Sequence, residues 1–137
     1  MQLRFVDYCP LYYTELQEQL LPSRRQGKFV VLRNTTVCYA VFSPRQLSAY
    51  HANIVERFLQ GVGVGGRYNA KRDVFTFDSP DWHVEGGGHW RRDDVRGTLH
   101  LYGRSQAYGG LDLVTLAAAL QETAEARDLK IAVDGRA

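Results

Sequence analysis

The chain has few cysteines, no long apolar run and little net charge. Its two cysteines, Cys9 and Cys38, match no metal-ligand spacing, and two reduced thiols are the simplest interpretation. No apolar run approaches the roughly 20 residues that a membrane-spanning helix needs. Residues 1–7 contain Asp7, where a signal peptide would be apolar, so we expect no export signal. The sequence therefore predicts a cytoplasmic protein with reduced thiols and no membrane association.

The charge balance also limits the choice of partners. Seventeen basic and 15 acidic residues leave a net charge of +2, which is too small to indicate nucleic-acid binding. Apolar residues make up 45% of the chain and charged residues 23%, as in globular proteins. With no repeat and no linker, residues 1–137 are predicted to form a single domain.

The hydrophobic patterns predict short strands interspersed with two strong helices. A short helix is expected over residues 11–21, followed by a polar loop at 22–27. The strand candidates are residues 2–8, 28–33, 37–42, 74–77, 82–85, 98–102 and 129–133. Such a mixture indicates an α/β or α+β layer fold.

The first strong helix is expected to run from Ser43 to about Gln60. Ser43 is a favoured cap, and Pro44 fits the first helical position. His51 then falls on one apolar stripe of this helix, and the glycines at 61–66 end it.

Residues 98–110 are the most informative segment, because they read as a strand, a glycine-containing loop and the start of a second helix near Leu111. Ser105 and the backbone N–H groups of Gln106 and Ala107 could bind a phosphate there, helped by the positive end of the second helix. The alternative is a turn that only joins strand to helix. The helix itself, apolar on more than one side through Leu120, should be covered by the sheet.

His51 is the candidate catalytic residue. Its place on the apolar stripe predicts partial burial, which keeps an imidazole neutral near pH 7, as a general base requires. The alternative is a core histidine whose hydrogen bonds are satisfied.

Two groups of polar residues provide weaker candidates. Lys28 at a strand start and Arg45 in the first helical turn could contact a bound phosphate, or could be solvated surface charges. His83, Glu85 and His89 could ligate a metal, although a polar edge strand explains them better.

Three segments together resemble the protein histidine phosphatase family, also called the Janus or Ocnus family. Residues 50–54, Tyr-His-Ala-Asn-Ile, resemble the family's Tyr-His-Ala-Asp-Ile around its proposed catalytic histidine. The triple glycine at 86–88 and the segment 100–109, His-Leu-Tyr-Gly-Arg-Ser-Gln-Ala-Tyr-Gly, resemble two further family motifs. Lys28 resembles a family lysine that opens a strand.

The resemblance implies a phosphatase without metal or other cofactor that hydrolyses the P–N bond of phosphohistidine in a protein, or of a small phosphoramidate. It implies a mixed β-sheet between two main helices. By position, His51 would be the general base, Lys28 would contact phosphate, and Ser105 and Ala107 would help form the anion loop.

The sequence departs from the family at two phosphate-binding arginines. Ser43 stands where the family has an arginine eight residues before its histidine, and His89 replaces the arginine after the triple glycine. Residues 61–81 resemble an insertion. The alternative is therefore a non-catalytic member that binds a phosphorylated or acidic partner through the same loop.

Overall fold

The computed structural model describes residues 2–134, which form a mixed α/β structure built on a six-stranded sheet. In chain order the elements are β1 (Gln2–Asp7), a π-helical segment (Pro10–Leu16), β2 (Arg24–Arg33), β3 (Val37–Pro44), α1 (His51–Gly61), β4 (Gly66–Tyr68), β5 (Phe75–Phe77), β6 (His83–Asp93), β7 (Thr98–Tyr102), α2 (Leu113–Gln121) and β8 (Lys130–Val133). None of the helices within these residues is long and apolar enough to cross a bilayer.

The large sheet has the strand order β1-β3-β2-β6-β7-β8. The outer pairs β1–β3 and β7–β8 are parallel, while the inner pairs are antiparallel. Strands β4 and β5 form a separate antiparallel hairpin.

The two faces of the sheet bury separate apolar clusters, because successive residues of a strand point to opposite faces. Along β2, Phe29 and Val31 belong to the cluster that includes α2 residues. Val30 and Leu32 belong to the cluster that includes α1 residues. One helix therefore covers each face, and the α1 face carries the candidate site described below.

Two strands are longer than the sequence predicts. β2 begins at Arg24, inside the expected loop, because residues 24–27 pair with β6. β6 continues from the expected strand 82–85 through all three glycines to Asp93. Glycine has a low strand propensity, but here β2 and the loop after β7 both hydrogen-bond to this backbone, which outweighs the local preference.

The predicted helix start at Ser43 is wrong. β3 continues to Pro44, and the fully buried Ser43 hydroxyl lies 2.7 Å from that of Ser48 instead of capping a helix. A turn separates the strand from α1, which begins at His51, where the Asn53 side chain accepts a hydrogen bond from the Tyr50 N–H. Arg45 therefore lies in this turn and not in a helix.

The other two helices also differ from prediction. The first is a π-helical segment that ends at Leu16, well before residue 21. α2 begins at Leu113 because Asp112 caps it, accepting a hydrogen bond from the Thr115 N–H at 3.2 Å. A carboxylate thus already occupies the positive end of α2. Any phosphate in the preceding loop would therefore share this helix end with the Asp112 carboxylate.

Candidate functional site

The candidate site lies on the α1 face, where α1 begins beside the middle of the sheet. Cross-strand pairing aligns Lys28 of β2, His89 of β6 and Tyr102 of β7 in one row across three strands. We call this the site row. Within this row, the His89 imidazole stacks on the Tyr102 phenol ring, with the ring centroids 5.4 Å apart. His51, the first residue of α1, contacts the row edge-on, with its ring centroid 5.5 Å from that of His89.

His51 is buried, with 6% of its surface exposed, as its place on the apolar stripe predicts. Its Nε2 lies 2.8 Å from the Gly88 carbonyl oxygen. Because a carbonyl can only accept, Nε2 must carry the proton, which leaves Nδ1 as an unprotonated acceptor in the neutral ring. Burial lowers the pKa of His51 to about 4, and nearby His89 and Lys28 act in the same direction. The ring is therefore neutral at pH 7.

His89 and Lys28 also have lowered pKa values, because both are partly buried and lie near other positive charges. Burial lowers the pKa of His89, and the positive charges of Lys28 and Arg45 lower it further. Burial and Arg45 also lower the pKa of Lys28, whose ammonium donates a hydrogen bond to the Ala49 carbonyl at 2.9 Å. Within residues 2–134, neither Lys28 nor Arg45 forms a salt bridge with a carboxylate. The site therefore presents positive charge that an anion could neutralise.

The segment between β7 and α2, residues 103–110, is the anion loop of the sequence prediction, and its backbone folds onto β6. The Ser105 N–H is shared between the carbonyls of Gly87 and Gly109, at 3.1 and 3.2 Å. The fully buried Ser105 hydroxyl accepts a hydrogen bond from the Tyr108 N–H at 3.0 Å. Ser105 thus closes the loop from inside, which is a structural role that the sequence reasoning missed.

The tip of the anion loop leaves two donors free. Within residues 2–134, the backbone N–H groups of Gln106 and Ala107 have no protein acceptor. Gln106 is exposed and Ala107 is half-buried. Two successive free N–H groups on a loop held at both ends are an arrangement that suits an oxyanion.

Gly87 explains how His51 comes next to the anion loop. A Cβ at this position would lie 2.9 Å from His51 Cδ2, 3.3 Å from Ser105 Cβ and only 2.5 Å from the Phe29 carbonyl oxygen. His51 and Ser105 therefore both pack against the bare backbone of Gly87. Only glycine leaves room for the histidine and the loop together.

Tyr108 connects the anion loop to the β4–β5 hairpin, in the region that resembles an insertion. Its hydroxyl accepts from the Phe75 N–H at 3.0 Å and donates to the Phe75 carbonyl at 2.8 Å. The sequence offered only a tyrosine in a motif, without sign of this partner. The hairpin thus holds the loop at Tyr108, in addition to the bonds that the loop makes with β6.

The structure brings only some of the residues predicted for the site close together. It brings Lys28 close enough to lower the pKa of His51, and it packs His51 and Ser105 against the same glycine, Gly87. Arg45 lies in the turn, close enough to lower the pKa of Lys28 and of His89. His89 and Tyr102 join the site only through strand register, which no local pattern reveals.

The metal-site alternative has no ligand set in the described part of the chain. His83 is exposed, and Glu85 is the extra residue of a β-bulge and pairs with Arg33 at 2.9 Å. His89 lies beside His51 instead. Among residues 2–134, no three histidine, cysteine or acidic side chains are grouped as metal ligands.

Comparison with known proteins adds no family to this description: no protein-family model and no curated protein sequence matches the chain.

Proposed function

We propose that this chain is a metal-independent phosphatase that hydrolyses the P–N bond of phosphohistidine, in a protein or in a small phosphoramidate. The observation that carries the proposal is the buried, neutral His51, whose free Nδ1 belongs to a ring packed beside the anion loop. A phosphohistidine-phosphatase-like fold is part of the same proposal, supported by a mixed sheet with one helix on each face.

His51 acts as the general base in this proposal. Water attacks phosphorus, the new O–P bond forms as the P–N bond breaks, and the P–N electron pair stays on the leaving imidazole nitrogen. His51 Nδ1 takes one proton of the water and then releases it, directly or through solvent, to the leaving nitrogen, so that the products are orthophosphate and histidine and His51 is neutral again. The hydrogen bond from Nε2 to Gly88 holds the tautomer that this step needs and orients the ring.

The transferring phosphoryl group needs positive partners for its oxygens, since charge stabilisation dominates phosphoryl transfer. The free N–H groups of Gln106 and Ala107 serve this role, together with the ammonium of Lys28 and the guanidinium of Arg45. Ser105 acts indirectly by closing the loop that presents these donors.

The test is hydrolysis of phosphoramidate and of a phosphohistidine peptide in the presence of EDTA. Replacing His51 by Gln should lower kcat by roughly 10²–10⁴-fold, the usual contribution of a general base. The matched control is His83→Gln, because His83 is exposed and remote from the row. Full activity in His51→Gln, or strict dependence on metal, would contradict the mechanism.

A second candidate function is phosphate or acidic-partner binding without turnover. It is favoured by Ser43, which is buried against Ser48 and supplies no cation at a position where the resembling family has an arginine. His89 likewise stacks on Tyr102 and is held neutral. Calorimetric phosphate binding, together with no measurable hydrolysis of either substrate, would favour this second function.

A further inference from the structure

A basic groove continues from the site row along the same face of the sheet. The next row on this face contains Gln26, Arg91 and His100, and the row beyond contains Arg24, Asp93 and Thr98. Residues two apart on a strand share a face. The outermost row is four residues along the strand from the site row, which at about 3.3 Å per residue is about 13 Å. Neither row belongs to the apolar cluster beneath α1, which lies toward the other end of β2.

These two rows line a cleft of about 480 Å³, which Arg96 of the β6–β7 turn also lines. The volume lies within the range of roughly 300–1,000 Å³ typical of ligand pockets. We define the basic groove by six of its residues: Arg24, Gln26, Arg91, Asp93, Arg96 and His100. The groove is distinct from the anion loop but opens on the same surface.

The charge of the groove is largely uncompensated. Arg91 donates to His100 Nδ1 at 2.8 Å and lies 4.7 Å from the centre of the Tyr102 ring, so its partners are neutral. Within residues 2–134, Arg96 forms no salt bridge. Arg24 pairs with Asp93 at 3.4 Å, but its side chain is 82% exposed, and such pairs exchange readily for another carboxylate.

The mixture of groups favours a polypeptide over a polyphosphate or nucleic acid. Asp93 places a carboxylate among the arginines, which disfavours a densely anionic polymer; its oxygens already accept from the Val95 and Arg96 N–H groups and pair with Arg24. The Gln26 side chain can both donate to and accept from a peptide backbone. Three arginines meanwhile suit the spaced carboxylates of Asp or Glu side chains.

We propose that the basic groove binds an acidic polypeptide segment, and that this segment flanks the phosphohistidine of the substrate. The second half of this statement rests on the proposed function. Tyr102 links the two regions directly, because it stacks on His89 of the site row and underlies Arg91 of the groove. A peptide with its phosphorylated side chain over the site row would place neighbouring acidic residues over the arginines.

Binding is tested first, without any phosphorylated residue. A fluorescein-labelled Glu-rich peptide containing one histidine is titrated by anisotropy at 50 and 300 mM NaCl, beside the same peptide with Gln for Glu. The double variant Arg24→Ala/Arg96→Ala should bind the acidic peptide about fivefold more weakly, as expected for two exposed ion pairs. Arg127→Ala is the matched control, because Arg127 is exposed but does not line the groove.

Affinity should also fall with salt, and the Gln peptide should bind more weakly. Equal binding of the acidic peptide by wild type and the double variant, with circular dichroism showing both folded, would overturn the proposal. So would a single-stranded oligonucleotide of equal charge that displaces the peptide at lower concentration, since it would identify a nucleic-acid groove.

Turnover then separates this inference from the proposed function. The double variant should raise KM for an acidic-flanked phosphohistidine peptide about fivefold and leave phosphoramidate hydrolysis unchanged. If wild type hydrolyses phosphohistidine peptides with acidic and with neutral flanking residues at equal kcat/KM, the groove does not bind the flanking segment, and the proposed phosphatase activity is unaffected. If no substrate is hydrolysed, the proposed phosphatase function is refuted. The anisotropy titration would still decide whether the groove binds acidic peptides.

Discussion

Burial of His51 should make the stability of the fold depend on pH in a defined window. The folded-state pKa is about 4, below the 6.5 of an exposed histidine. As pH falls through 6.5, His51 becomes protonated in the unfolded chain, whereas in the folded chain it stays neutral until about pH 4. The stabilising effect is therefore complete above pH 6.5 and is lost progressively between pH 6.5 and 4.

The size of this loss follows from linkage between protonation and folding. Between pH 7.5 and 5.0, a change of pKa from 6.5 to about 4 reduces the free energy of unfolding by about 2 kcal/mol. His89 contributes in the same direction, since its pKa is also lowered. Subtracting the pH dependence of a His51→Gln variant from that of wild type isolates the share of His51.

Urea unfolding of wild type and His51→Gln at pH 7.5 and 5.0 measures this difference, with His83→Gln as the control. Gln retains an N–H that can donate to the Gly88 carbonyl, so the hydrogen bond is largely preserved. We expect the variant to lose about 2 kcal/mol less than wild type on acidification. Equal losses in both proteins would refute the conclusion that the fold holds His51 neutral.

Three further substitutions test the supports of the site. Gly87→Ala forces a Cβ to 2.5 Å from the Phe29 carbonyl and should destabilise by about 2 kcal/mol in thermal melts, whereas Gly61→Ala, which meets nothing within 4 Å, should be tolerated. Tyr108→Phe removes both bonds to Phe75 and should cost about 1–3 kcal/mol, with faster amide exchange in the β4–β5 hairpin; unchanged exchange would argue against the link. Trp90→Phe loses the indole donor to the Lys28 and Ser43 carbonyls, at 3.0 and 3.2 Å, and should cost about 2 kcal/mol by urea unfolding.

Local patterns predicted the parts of the fold in which neighbouring residues decide the structure. The strand at 98–102 is confirmed as β7, because alternation of apolar residues there has no competing turn signal. Burial of His51 is confirmed because the stripe of α1 faces the sheet. The glycines at 61–66 end the helix as expected, and α1 stops at Gly61.

Long-range contacts explain the failures. Ser43 and Pro44 carry the signal of a helix start, but pairing of β3 with β2 extends the strand through Pro44. The site row could not be predicted, since it depends on the register of β6 against both β2 and β7. The role of Ser105 as the residue that closes its own loop depends equally on the approach of Gly87.

The order of strands in the sheet has a consequence for how the protein folds. The antiparallel pairs β2–β3 and β6–β7 join neighbours in sequence, and such hairpins close short loops at little entropic cost. The outer strands β1 and β8 instead pair in parallel across intervening segments, which requires the inner sheet to exist first. We therefore expect the two hairpins to nucleate folding and the outer strands to join last, so that the site row, which spans both hairpins, assembles when they dock.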